Sequence, residues 1–200
     1  MSSAFGQYLK LSIFGQSHGE ALGVTLDGFP AGMTIDMEQL LAEMARRAPG
    51  QSLMTTARKE PDAPEFLSGV LNGRTTGQPI CAIIRNTNQR SKDYGDGVDL
   101  VRPGHADYTG HVRYFGFEDW RGGGSFSGRL TAGIVLAGAL CSQYLVHQGV
   151  KIVCHIQQLG DVRDASFLAA DAAVDYAFLK GMHLPVLTAG LNQQMEETVL

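Results

Sequence analysis

Residues 128–148 constrain the fold of this chain more than any other stretch. Leu130, Ile134, Cys141 and Leu145 recur at helical spacing, and Gly149 follows as a natural helix stop. The longest mostly apolar run inside it, Leu130 to Cys141, is too short to span a bilayer. The helix therefore reads as part of a soluble core. Apolar residues make up 44% of the 200, which suits an ordered chain rather than a disordered one.

Shorter elements surround this helix. Residues 7–14 and 22–27 read as strands on either side of a polar loop, GQSHGE. Phe29-Pro30-Ala31-Gly32 reads as a turn. Residues 36–47 read as a helix, with Asp36 as N-cap, Gln39 three residues on, and Leu40, Leu41 and Met44 as one apolar face. Residues 66–71 and 79–85 read as strands joined across NGRTTGQ, with an Asn-Gly turn signal. Residues 86–126 show little periodicity, although their Tyr, Phe and Trp content points to order. Residues 150–158 alternate like a strand, 165–180 read as a helix, and 192–200 look like the opening turns of another. No linker or repeat divides the chain, so residues 1–200 are expected to form a single domain.

Charge is uneven along the chain. The net charge is −4, which argues against a general nucleic-acid binder. Ten of the eleven Arg nevertheless lie between residues 46 and 129, where the balance is +3. Guanidinium forks match carboxylate and phosphate geometry, so this stretch suits a small polyanion, scattered surface Arg being the plainer alternative. Cys81, Cys141 and Cys154 show no metal-binding or redox spacing and sit in apolar segments, the pattern of reduced, buried thiols in a cytosolic protein. The N-terminus shows no basic-then-apolar signal region.

Three motifs carry chemistry. GQSHGE presents His18 in a loop after a strand, where an imidazole titrates near neutrality or simply bonds backbone. RPGHAD presents His105 two residues from Asp107, a carboxylate able to fix the imidazole tautomer. His105, Asp107 and His111 also have the look of a metal site, and a metal-dependent hydrolase is the reading that would follow. RGGGSFSGR precedes the long helix. Successive glycine N–H groups and a helix N-terminus together make an anion site, flanked by Arg121 and Arg129. Ser127 is a natural N-cap there. Arg46 and Arg47 close the first helix, where cations are commonplace.

Taken in order, GQSHGE, DGFPAG, RRAPGQS, EFLSGV, GRTTGQPI, NTNQRSKDY, RPGHADYTGHVRY and RGGGSFSGRLTA resemble the chorismate synthase family, from about residue 7 to at least residue 160. The resemblance implies an α+β fold, a β-α-β sandwich of which this chain would be the first of two similar halves. It implies a 1,4-elimination of phosphate from 5-enolpyruvylshikimate 3-phosphate, giving chorismate, with reduced FMN as cofactor and NADPH as a candidate reductant. His18 matches the acid at the leaving phosphate and His105 the acid at the reduced flavin. Arg47, Arg102, Ser127 and Arg129 match substrate contacts, and Ser125, Phe126 and Ser127 would lie against FMN. A cytoplasmic homotetramer, with no nucleic-acid or membrane partner, is the implied assembly.

The chain departs from the common family wording at several places. Ser125, Phe126, Gly128 and Leu130 stand where Arg, Ser, Ala and Glu are usual, and Ala48 stands for the third Arg of RRRPG. Leu53 occupies a position that is often basic. Family members are also much longer, so a lone first half is expected to leave apolar surface exposed. A non-catalytic binder of phosphorylated anionic metabolites is the alternative reading.

Overall fold

A computed structural model describes residues 3–50, 60–87, 100–167 and 176–199. The chain divides into two compact units, residues 1–148 and 149–200.

The first unit is built on a five-stranded antiparallel sheet. Its strands are β1 (Ala4–Phe5), β2 (Lys10–Gly15), β3 (Ala21–Asp27), β4 (Pro64–Ser68) and β7 (Ile80–Arg85), in the order β1-β2-β3-β7-β4. The register places Leu11 opposite Leu26, Ile13 opposite Val24, and Val24 opposite Ala82. Because side chains alternate across a strand, these residues share one face. Leu22, Val24, Leu26, Ile80, Ala82 and Ile84 are all buried there.

Two helices cover that face, α1 (Met37–Arg47) and α3 (Thr131–His147). The N-cap expected at Asp36 is present: its carboxylate accepts from Gln39 N at 2.9 Å. Such a cap contributes about 1 kcal/mol. Leu40 and Met44 point into the core, and Leu41 is exposed. The helices are also tied by polar contacts, since Gln143 of α3 donates to Asp36 O (2.8 Å) and accepts from Asp36 N (3.0 Å).

The long helix differs from its sequence reading in which side it buries. Its inner face is Ala132, Gly133, Leu136, Ala137, Ala139, Leu140 and Gln143, whereas Ile134 is exposed. Small residues share that face with Leu136 and Leu140 because the helix lies close on the sheet at one point, with Gly133 set against Gly23, Ile13 and Val24. With the 3-10 turn before it, the helix runs from Gly128 to His147, 20 residues and by length alone enough to cross a bilayer. The reading of a too-short apolar run is corrected in that respect. The packed inner face makes it the core helix of this unit.

The hairpin signal is also refined. Asn72 (φ 50) and Gly73 (φ 73) turn the chain between two short strands, β5 (Val70–Leu71) and β6 (Arg74–Thr75). Positive φ at both central residues is the turn that matches strand twist. Lower down, β4 pairs with β7 through a register shift between Phe66 and Ser68.

Among its described residues the aperiodic stretch contains one α-helix, α2 (Asp107–Tyr114). Eight residues with a glycine inside give too little periodicity to be read. Around it Tyr108, Val112, Phe115 and Phe117 are exposed. The NTNQRSKDY motif falls mostly on residues outside those described.

The second unit contains β8 (Gln158–Leu159), β9 (Val162–Arg163), α4 (Tyr176–Gly181) and α5 (Leu191–Val199). Residues 150–157 do not form the expected strand; among the described residues of this unit β8 and β9 pair, and Ile156 N instead donates to Pro185 O at 2.8 Å. Alternation without a neighbouring ladder does not suffice. Asp164 anchors the unit by accepting from Ala165 N, Leu187 N and Thr188 N. The helix expected at 165–180 is seen only from Tyr176, and residues 168–175 lie outside the description. The thiols are less enclosed than expected, with Cys81 and Cys141 half-buried and Cys154 exposed in the segment that forms no strand. Burial pushes the Cys141 thiol above its usual range.

Candidate active site

The GQSHGE loop and the glycine loop meet. Ser17 N donates to Gly124 O at 3.1 Å. The His18 ring lies on the α-carbon of Gly122, where a Cβ would fall 2.2 Å from Cε1. With φ at 61°, that position suits glycine on both counts. Ser17, itself buried, sits 3.0 Å from His18 Nδ1 through its hydroxyl. These contacts fix where the imidazole lies.

Gly122 also receives Arg102, whose Nη2 donates to its carbonyl at 2.5 Å. Arg102 then grips Asp107 with Nε and Nη2, each at 2.8 Å, and with its backbone N–H at 2.9 Å. His105 Nδ1 lies 2.8 Å from the same carboxylate. The Arg102 fork holds the Asp107 carboxyl well below the usual carboxylate range, with smaller help from His105. His18, Gly122, Arg102, Asp107 and His105 thus form one continuous chain of contacts. The tautomer-fixing partner expected for His105 is in place.

A second cluster lies deeper. Asp62 is fully buried and accepts through both oxygens: Oδ2 from Arg47 Nη1 at 2.7 Å, and Oδ1 from Arg129 Nη1. Arg129 is only 5% exposed. Its Nε donates to Asn86 Oδ1 at 3.1 Å, and its Nη2 is buried with no protein partner. Asn86 in turn donates to Gln16 O (3.0 Å) and Gly19 O (2.9 Å), on either side of His18. Arg47 completes the cluster through Gly128 O and Thr131 Oγ1. Sequence reasoning named Arg47 and Arg129 but missed Asp62 and Asn86. The one signal for Asp62 was its place in Pro61-Asp62-Ala63-Pro64, an acid held between two stiff residues.

The two cations closing α1 separate. Arg46 pairs with Glu43 on the surface, and Arg47 turns inward. Ser127 is used as the cap, accepting from Arg129 N at 3.2 Å. Ser125 is exposed. The Phe126 ring packs over Gly110 of α2 and lies 6.1 Å from the Tyr114 ring, yet stays 44% exposed. A cleft of about 100 Å³ opens beside it, lined by Ala106, Tyr108, Trp120, Gly122, Gly123 and Phe126 among others. Asp119 lies nearby, its carboxyl held low first by the Arg121 side chain and more weakly by His18.

The metal reading of the HAD…H motif is not supported by this geometry. His111 faces Glu118 at 3.3 Å, whereas Asp107 is taken by Arg102 and His105. Among the described residues no three His, Cys, Asp or Glu side chains are placed to hold an ion together.

Known proteins agree with the motifs. A family model for chorismate synthase matches residues 9–200. The chorismate synthase of Phocaeicola vulgatus is 47% identical over 163 residues, covering 82% of this chain and 45% of the relative. That of Sulfurimonas denitrificans is 43% identical over 198 residues, covering 99% of this chain and 53% of the relative. A crystal structure of a chorismate synthase superimposes with a TM-score of 0.68 at 26% identity, over 96% of this chain and 52% of that one. The α+β architecture is therefore shared, and the chain spans about half the length of the curated relatives it matches. On a match running through nearly all of its sequence, the chain belongs to the chorismate synthase family.

Proposed function

We propose that this chain carries the first half of a chorismate synthase fold and its phosphate-eliminating chemistry: conversion of 5-enolpyruvylshikimate 3-phosphate to chorismate and phosphate with reduced FMN. The observation that carries the proposal is the junction at Gly122. One glycine seats the His18 ring on its α-carbon and binds Arg102 through its carbonyl. An imidazole and a guanidinium are thereby held beside one another at the mouth of a glycine-rich turn, the arrangement needed to protonate and neutralise a departing dianion.

In this reading Arg102, Arg129 and Arg47 bind the substrate's phosphate and carboxylates, with Ser127 beside them. Arg129 offers the buried Nη2 that no protein group satisfies. His18 delivers a proton to the leaving phosphate oxygen, its ring held by Ser17 and Gly122. His105 holds a proton at the cofactor, and Asp107 keeps its Nδ1 face fixed. Ser125, Phe126 and Ser127 would hold FMN. The residues present fit one wall of such a site: the half-exposed Phe126 ring and bare glycine backbone give a flat surface, and the cleft beside them takes the edge of a ring system. When bound, reduced FMN supplies transient electron donation to the substrate. NADPH as reductant, a cytoplasmic setting and a homotetramer belong to the same family reading.

The test is anaerobic addition of 5-enolpyruvylshikimate 3-phosphate and reduced FMN to the purified chain. A transient flavin spectral change with release of phosphate is the expected result. Binding without either change would make the chain a non-catalytic binder of phosphorylated metabolites.

A further inference from the structure

We propose that Asp62, a residue with no part in the reading above, is the positioning residue of the anion site, setting the orientation of Arg47 and Arg129 together. The inference rests on the proposed role of those two arginines.

The chain fixes Asp62 before it meets either partner. Immediately upstream, Glu60 is buried and accepts from Thr87 N (2.9 Å) and Thr87 Oγ1 (2.7 Å), at the end of β7. Immediately downstream, Pro64 opens β4 and pairs with Ile84 of the same β7. Asp62 lies between these two anchors with φ at 49°, a left-handed conformation that Asp tolerates better than most residues. Its carboxylate is wholly enclosed. A buried charge of this kind needs partners, and each oxygen has one: Oδ2 holds Arg47 and Oδ1 holds Arg129.

This division leaves a consequence for Arg129. With Nη1 on Asp62 and Nε on Asn86, the plane of the guanidinium is set from two sides. The remaining Nη2, buried and unpaired, is aimed by that plane. Asn86 extends the order to the His18 loop through Gln16 O and Gly19 O. The carboxylate therefore does two opposing things to an incoming anion. Its charge weakens the local positive potential, and its geometry presents two oriented forks. Misplacing catalytic or binding groups by about an ångström costs up to about a hundredfold, so geometry outweighs the charge.

Asp62→Asn separates the two. It removes the negative charge, which alone would tighten anion binding, and puts an amide N–H against a guanidinium, which releases one fork. Calorimetric titration of the full chain with 5-enolpyruvylshikimate 3-phosphate is expected to show binding weakened about ten- to a hundredfold. Nitrogen-15 NMR of arginine-labelled protein is expected to show the guanidinium N–H signals of Arg47 and Arg129 lost or broadened in the variant. Equal or tighter binding by Asp62→Asn overturns the proposal. If the parent chain itself shows no binding, the reading of the anion site falls, and the NMR arm still decides the role of Asp62: both signals retained in the variant overturns it. If Asp62→Asn does not fold, Thr87→Ala carries the test by loosening the Glu60 anchor without touching the carboxylate. A several-fold weaker titration supports the proposal, and an unchanged one overturns it.

Discussion

The two arginine-carboxylate clusters of this chain are built from the same chemical parts and do not behave alike. Around Asp107, the cation and the carboxylate are five residues apart, the Arg102 side chain is 42% exposed, and the ion pair itself lies on one loop and the start of one helix. Around Asp62, the partners are 15 and 67 residues away and the carboxylate sees no solvent. The first cluster is local and wet; the second joins α1, the strand entry at Pro64 and the turn before α3. Local pairs tune a side chain, whereas enclosed long-range pairs hold elements together and tolerate no missing member.

Removing one arginine from each breaks the comparison most directly. Arg129→Ala leaves Asp62 with a single arginine partner and removes the donor that Arg129 Nε gives Asn86 Oδ1, so unfolding in denaturant is expected to shift by about 3 kcal/mol. Arg102→Ala is expected to cost under about 1 kcal/mol, because water replaces it around a partly exposed pair. Denaturant midpoints of the two variants measured side by side check this, and comparable losses would show that enclosure does not separate the clusters.

The junction between the clusters is the next most sensitive point. Gly122→Ala places a methyl group where the His18 ring now lies, on a backbone with φ at 61°. A cost of about 1–3 kcal/mol is expected from the strained backbone. The His18 imidazole resonance should move in NMR spectra, while that of His147, at the far end of α3, stays in place. An unmoved His18 signal would mean the ring does not depend on that glycine.

What the sequence disclosed follows the same division. The Asp36 cap on Gln39, the Asn72-Gly73 turn and the His105–Asp107 pair were all legible, because each joins residues one to three positions apart. Arg47 and Arg129 were named through a family resemblance, and their shared carboxylate was not. Asp62 stands in TTARKEPDAP, and nothing local links it to a residue 67 positions on. The inner face of α3 was misjudged for a related reason. Periodicity favours large apolar residues such as Ile134, but where α3 comes closest to the sheet, at Gly23, the contact is made by Gly133. Tertiary distance, rather than residue type, settled both.

Acid sharpens the contrast at the local cluster. Asp107 binds its proton more weakly in the folded chain than in the unfolded one, first because of the Arg102 side chain. Its contribution to stability is therefore complete above the unfolded carboxyl value of about 3.9 and is lost as pH falls through that value toward the lower folded one. Asp107→Asn should remove part of the fall in melting temperature below about pH 4 and leave the neutral-pH slope unaltered. A parent and variant with parallel acid limbs would show that the Arg102 fork gives Asp107 no linkage to folding.

The smallest effect belongs to the residue beside Arg47. Arg46 and Arg47 are adjacent in sequence and identical in kind, and both end α1. Arg46 bonds Glu43 one turn back on the open surface, with its side chain 51% exposed. Such a pair contributes about 0.3 kcal/mol. Arg46→Ala should hardly move the melting temperature, and added salt should erase what difference there is. Arg47→Ala should move it several times further and resist salt, because its partner is the enclosed Asp62. If the two substitutions cost the same, burial of the carboxylate would not be what distinguishes neighbouring arginines on one helical turn.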